Sequence, residues 1–129
     1  MYKRQTYSAD FDGTADGWIC VFHSPSASKG LNVNVKGGRV SGTIKVSATF
    51  RDRIDGDFID SAQAMGTARK HDVEKLTRAR AGEVTMMLLP AIKAGARGLY
   101  WTVIGDWDSG KSIVIDAKSG DFVRIQATK

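Results

Sequence analysis

Apolar and polar residues alternate with a period of two along most of this chain, and only the interval from about residue 60 to 81 shifts to a helical spacing. Thr6 to Phe11 alternates weakly. The turn formers of Asp12-Gly13-Thr14-Ala15-Asp16-Gly17 follow, so a hairpin into a strand over Trp18 to His23 is predicted. Pro25 to Gly30 reads as a small-residue loop. Leu31-Asn32-Val33-Asn34-Val35 alternates cleanly, Lys36-Gly37-Gly38 turns the chain, and Arg39 to Phe50 alternates again through Val40, Thr43 or Ile44, Val46 and Ala48. These runs predict three or four antiparallel strands.

The period changes after Ile59. Asp60 followed by Gln63 is a capping-box pattern, in which the carboxylate accepts from orphan amides while the glutamine reaches back. Ala62, Ala64, Met65 and Ala68 then recur at helical spacing, a small-residue face suited to lying close against a sheet. Asp72 is positioned to cap a second short helix from Val73 to about Ala81, which Gly82 ends.

Strand signals return at Val84 to Leu89. A loop is predicted over Pro90 to Gly98, then strands over Leu99 to Trp107, Ser112 to Asp116 and Phe122 to Gln126, with the turn Ala117-Lys118-Ser119-Gly120-Asp121 before the last. Trp101, Val103 and Trp107 fall on one face, Tyr100, Thr102 and Ile104 on the other, and both faces carry apolar groups. The second set of strands echoes the first. Trp18, Gly37 and Val40 each lie 83 residues before Trp101, Gly120 and Val123, so an internal repeat of two meanders is predicted.

Composition adds little specificity. The 129 residues are 42% hydrophobic and 26% charged, ordinary for one globular domain. The formal charge of +5 is spread without a long basic run, so nucleic acid is not expected as a partner. Cys20 is the single cysteine and lies in an apolar run, where a thiol behaves as a small hydrophobe. No stretch approaches the ~20 apolar residues that span a bilayer. Tyr2-Lys3-Arg4-Gln5 resembles the translated end of a sequencing adapter at the edge of a metagenomic assembly. Residues 1–5 are accordingly expected to be a non-native scar outside the fold, with the natural chain and any targeting segment lying upstream.

Candidate chemistry is sparse. Gly105-Asp106-Trp107-Asp108-Ser109-Gly110-Lys111-Ser112 satisfies the phosphate-loop pattern, which needs a helix N-terminus after it to cradle the phosphates. The β-branched Ile113-Val114-Ile115 follows instead. Lys111 and Ser112 are therefore rejected as cofactor ligands, the segment reads as a loop within a β-hairpin, and nucleotide binding stays only as the alternative function. Asp10, Asp12 and Asp16 around Gly13 suggest an oxygen-rich cation loop but read better as a polar turn. Cys20 and His23, three apart in a strand, point to opposite faces, and His71 beside Asp72 reads as a loop or cap residue. No catalytic residue, metal ligand or cofactor is expected. Arg69, Lys70, Lys75, Arg78 and Arg80 form the only basic cluster, interleaved with Asp72 and Glu74, and read as the solvated face of two short helices.

The run from Asp60-Ser61 to Ala68-Arg69-Lys70, then Trp101-Thr102-Val103, then Ile113 to Val123 with its Asp116-Ala117-Lys118-Ser119-Gly120 turn, resembles a PepSY-type domain. The resemblance covers roughly residues 59–126, and the first meander is similar to a degenerate copy whose own helix would lie upstream. Trp18, Trp101, Asp116, Gly120 and Val123 form the structural signature, in which the Asp116 side chain caps the turn and Gly120 takes a positive φ. The resemblance implies an α+β fold: two antiparallel β-meanders, the first over residues 6–50 and the second, with its helix, over 51–129, joined by one or two short helices packed on the sheet in a PepSY-like or cystatin-like layer that forms one compact unit. It further implies a non-enzymatic, peptidase-regulating or generic peptide- or protein-binding module, secreted, periplasmic or in the cell envelope. A homodimer through an exposed sheet face or edge is a further expectation.

Overall fold

The computed structural model describes residues 1–24, 29–46, 53–54, 56–78, 80–93, 96–105 and 111–127, with the side chains of 91–93, 96–97 and 127 outside that description. Much of the Pro25 to Gly30 loop, the predicted strand end from Ala48 to Phe50, and Asp106 to Gly110 with Trp107 lie outside the described residues.

Eight strands form one antiparallel sheet. They are β1 (Lys3–Ala9), β2 (Gly17–Ser24), β3 (Lys29–Lys36), β4 (Arg39–Val46), β5 (Val84–Lys93), β6 (Ala96–Ile104), β7 (Lys111–Asp116) and β8 (Phe122–Ala127). Between β4 and β5 lie helices α1 (Ser61–Arg69) and α2 (Val73–Thr77). The spatial order is β4-β3-β2-β1-β5-β6-β7-β8, so each half is an up-and-down meander and the two first strands pair with each other.

This architecture corrects the expected α+β layer. Among the described residues helix is confined to the nine residues of α1 and the five of α2, and the two meanders join edge to edge in a single sheet. The physical reason is the edge itself: β1 and β5 would each leave a row of unpaired amides and carbonyls, and pairing them satisfies both rows.

The 83-residue offset superposes β1 on β5, β2 on β6, β3 on β7 and β4 on β8. At the junction Arg4 pairs with Leu88 and Gln5 with Met87. That offset carries Arg4, which shares a face with Leu88, onto Met87 on the other face, so it matches the order of the elements and not their faces at the junction.

Residues 3–5, expected to lie outside the fold, open this central strand: all three pair with β2, and Arg4 and Gln5 pair with β5 as well. Their fit is imperfect, because Arg4 Nε and Gln5 Oε1 are buried without a hydrogen-bond partner. Each such orphan costs about 1–3 kcal/mol.

The helices cover only one half. α1 and α2 pack on β6 and β7, burying Ala64, Met65, Ala68 and Val73 against Val84, Met86, Leu88, Trp101, Val103, Ile113 and Ile115. The Asp60–Gln63 capping box forms, with the Gln63 backbone N–H donating to the Asp60 carboxylate and Asp60 N to Gln63 Oε1 at 3.2 Å, and Ser61 N also donates to Asp60 Oδ1 at 2.8 Å. Asp72 does not cap α2. Its backbone is left-handed, with φ of 56°, its side chain makes no cap bond, and Arg78 at φ of 54° ends the helix short of the predicted Ala81.

Candidate functional site

Trp18, Trp101, Asp116 and Gly120 make packing and turn contacts. Trp101 is fully buried, donates from Nε1 to the Ile59 carbonyl at 2.9 Å, and meets Trp18 edge-on with ring centroids 5.9 Å apart. Arg4 stacks its guanidinium 4.3 Å from the Trp18 ring centroid. Asp116 Oδ1 accepts from Lys118 N at 2.8 Å and Ser119 N at 3.0 Å, while Gly120, at φ of 80°, donates its N–H to the Asp116 carbonyl. Thr67 Oγ1 donates to the Gly120 carbonyl at 2.7 Å, which ties this turn to α1. Val40 and Val123 are exposed, so these repeat positions are not core.

Of the phosphate-loop match, only Gly105, Lys111 and Ser112 lie among the described residues. Lys111 opens strand β7, antiparallel to β6, rather than a helix. Ser112 is buried and its hydroxyl lies 3.4 Å from the Gln126 carbonyl, facing β8. Gly105 has a packing role instead, since a side chain there would collide with the Thr77 carbonyl at the end of α2.

The remaining candidates are separate. Asp12 Oδ1 accepts from Thr14 N at 2.9 Å and Thr14 Oγ1 at 2.6 Å, and this hydroxyl hydrogen bond, aided by the backbone one, holds the carboxyl below its ordinary pKa. Among the described residues no cluster of three His, Cys, Asp or Glu could hold a metal. Cys20 and His23 face opposite sides of β2, and His23 meets Tyr2 edge-on at 5.7 Å. His71 stacks on Phe122 at 3.9 Å and holds β8 against the helices. Arg69, Lys70, Lys75, Arg78 and Arg80 are all exposed. No helix among the described residues is long and apolar enough to cross a membrane.

One apolar surface is covered by neither α1 nor α2. The register places Trp18, Cys20 and Phe22 of β2 beside Val35, Val33 and Leu31 of β3, and Val40, Thr43 and Lys45 of β4 beyond them. All lie on the side of the sheet that α1 and α2 cover in the other half, because Arg4 shares a face with both Cys20 and Leu88. In β7 the residues on this side, Ile113 and Ile115, are fully buried, whereas Leu31, Val33 and Val35 of β3 are only half-buried. Phe22 remains 40% exposed. At the free end Phe22 and Leu31 floor a shallow cavity of about 430 Å³ flanked by Lys29 and Lys45. Strands β1 to β4 contain Lys3, Arg4, Lys29, Lys36, Arg39 and Lys45 and no carboxylate. Period-two alternation was the signal for this face, but nothing local in the sequence shows that the helices cover one meander and not both.

No family model, curated protein or solved structure matches the chain.

Proposed function

We propose that the protein is a non-enzymatic module that binds a peptide or protein segment on the open face of β2, β3 and β4. The observation that supports this reading is the contrast within one sheet: on the same side, Trp101, Val103, Ile113 and Ile115 are buried under helices while Leu31, Val33 and Val35 stay half-exposed. Exposed contiguous apolar surface of this kind marks interaction sites in proteins. The Asp116 to Val123 turn adds the PepSY-type resemblance, which brings with it an extracytoplasmic setting and the restraint of a peptidase as the role to test first. The described polar side chains offer no converging nucleophile, base and oxyanion donors, which is why binding is preferred to turnover.

Selection of displayed random peptides on the immobilised protein tests the proposal. Enriched peptides should bind at least tenfold more weakly to Leu31→Asp than to the parent chain. Failure to enrich any peptide, together with ATP or GTP binding that Lys111→Ala abolishes, would overturn it in favour of a nucleotide protein.

A further inference from the structure

The internal repeat says what kind of segment fits the open face. In the second half the order along the chain is α1, α2, then the meander β5 to β8, and the helices lie on the face carrying Trp101, Val103, Ile113 and Ile115. The contact is made by a stripe of small or flexible side chains, Ala64, Met65 and Ala68, which lets the helix axis approach the sheet. In the first half the same face carries Trp18, Cys20, Leu31, Val33 and Val35, and no described helix packs on it. The two faces are continuous, since Trp18 and Trp101 touch across the β1·β5 junction.

Charge narrows the occupant further. The front of this half is bordered by Lys29 and Lys45, which flank the cavity over Phe22 and Leu31, and the four strands supply no acidic group to answer them. A segment lying there would gain from carboxylates along its flank, in attraction that weakens as salt screens it.

We propose that the open face of β2, β3 and β4 receives an amphipathic helix with a small-residue apolar stripe and an acidic flank, seated as α1 is on β6 and β7. This deepens the binding-module reading and rests on it. The helix buries Cys20, Leu31 and Val33 under its stripe and sets its carboxylates toward Lys29 and Lys45. A strand added to the free edge of β4 would use the same half of the molecule but leave that face open, and a second copy would cover it without any helix.

The probe is a synthetic peptide spanning residues 59–78 of this chain, with Arg69→Glu and Lys70→Glu to supply the acidic flank, titrated into the 129-residue protein at low salt and followed by amide NMR. The expected result is shift changes confined to β2, β3 and β4, helical carbonyl shifts in the bound peptide, and weaker binding by the unaltered-charge peptide, roughly threefold to tenfold. Val33→Asp, on the proposed face, should weaken binding at least tenfold, and Ile44→Asp, on the reverse face opposite Asn32, should not. Thr43→Glu, exposed on the same face as Val33, serves if Val33→Asp loses its dispersed spectrum, and should also weaken the acidic peptide.

Peptide that binds as an extended strand, protecting β4 amides and indifferent to Val33→Asp, overturns the helix and leaves the binding module standing. So does a dimer in sedimentation that Val33→Asp dissolves. Absence of binding by this peptide while displayed peptides are enriched sinks the helical inference alone. Absence of both removes the binding-module reading as well.

Discussion

Trp101→Ala should be the most destabilising single truncation in the second half. The indole is fully buried, between Leu88 on β5 and Ile115 on β7, with Trp18 edge-on at 5.9 Å and the Ile59 carbonyl 2.9 Å from Nε1. Removing a buried tryptophan to alanine costs about 3–5 kcal/mol in lost transfer energy and residual cavity. Leaving the Ile59 carbonyl without its donor adds about 1 kcal/mol. The carbonyl belongs to the strap that also donates Ile59 N to Ala117 O at 2.8 Å, so the crossover from β4 to α1 loosens with it. Trp101→Phe isolates most of the second term, because it keeps a six-membered ring in the site while losing the Nε1 donor with the rest of the pyrrole ring. Urea unfolding of the three proteins gives the values directly, provided the slopes agree. Parent minus Trp101→Ala should be about 4–6 kcal/mol and parent minus Trp101→Phe about 1–2 kcal/mol. A loss below about 1 kcal/mol for the alanine variant would mean that the indole is not enclosed, and the helix-covered half would have to be redrawn.

Three further outcomes follow from the geometry. Gly13→Ala should lower stability by about 2–4 kcal/mol in the same unfolding assay, because φ is 83° and the added Cβ would lie 2.5 Å from the Ser61 carbonyl oxygen. Thr67→Val should cost about 1 kcal/mol by removing the 2.7 Å bond to the Gly120 carbonyl, with amide exchange rising first in the β7–β8 turn. Asp12 should titrate below the ordinary aspartate range by carboxyl NMR. Its folded pKa is depressed, so its stabilising contribution is complete above the unfolded value and is lost as pH falls through the folded one. Thr14→Ala removes the hydroxyl donor and should raise that titration toward the ordinary value.

Local signals in the sequence located most elements, and long-range pairing decided the rest. The alternation of Leu31 to Val35 became β3, and the Asp60–Gln63 pair became a formed capping box. The Pro90 to Gly98 segment reads as a loop because of its proline and glycines, yet β5 runs on to Lys93 and β6 starts at Ala96. Pro90 is tolerated because it lies beyond the Arg4↔Leu88 pair that ends the β1·β5 register, where β5 has only β6 as a neighbour. The merger of the two meanders was not legible. Alternation fixes which side chains share a face, but not which strand edge meets which, and an α+β layer was the consistent local reading. The candidate site was half-visible for the same reason: alternation places Leu31, Val33 and Val35 on one face, and only the placement of α1 and α2 over the other half leaves that face open.

The unequal covering of the two halves is the claim on which the functional reading stands, and solvent paramagnetic relaxation of methyl protons measures it most directly. With a neutral soluble gadolinium chelate, the methyls of Leu31, Val33 and Val35 should relax several-fold faster than those of Ile113 and Ile115. Equal protection of both sets in the monomer would contradict the account, because the first half of the sheet would then have no open apolar face to offer a partner.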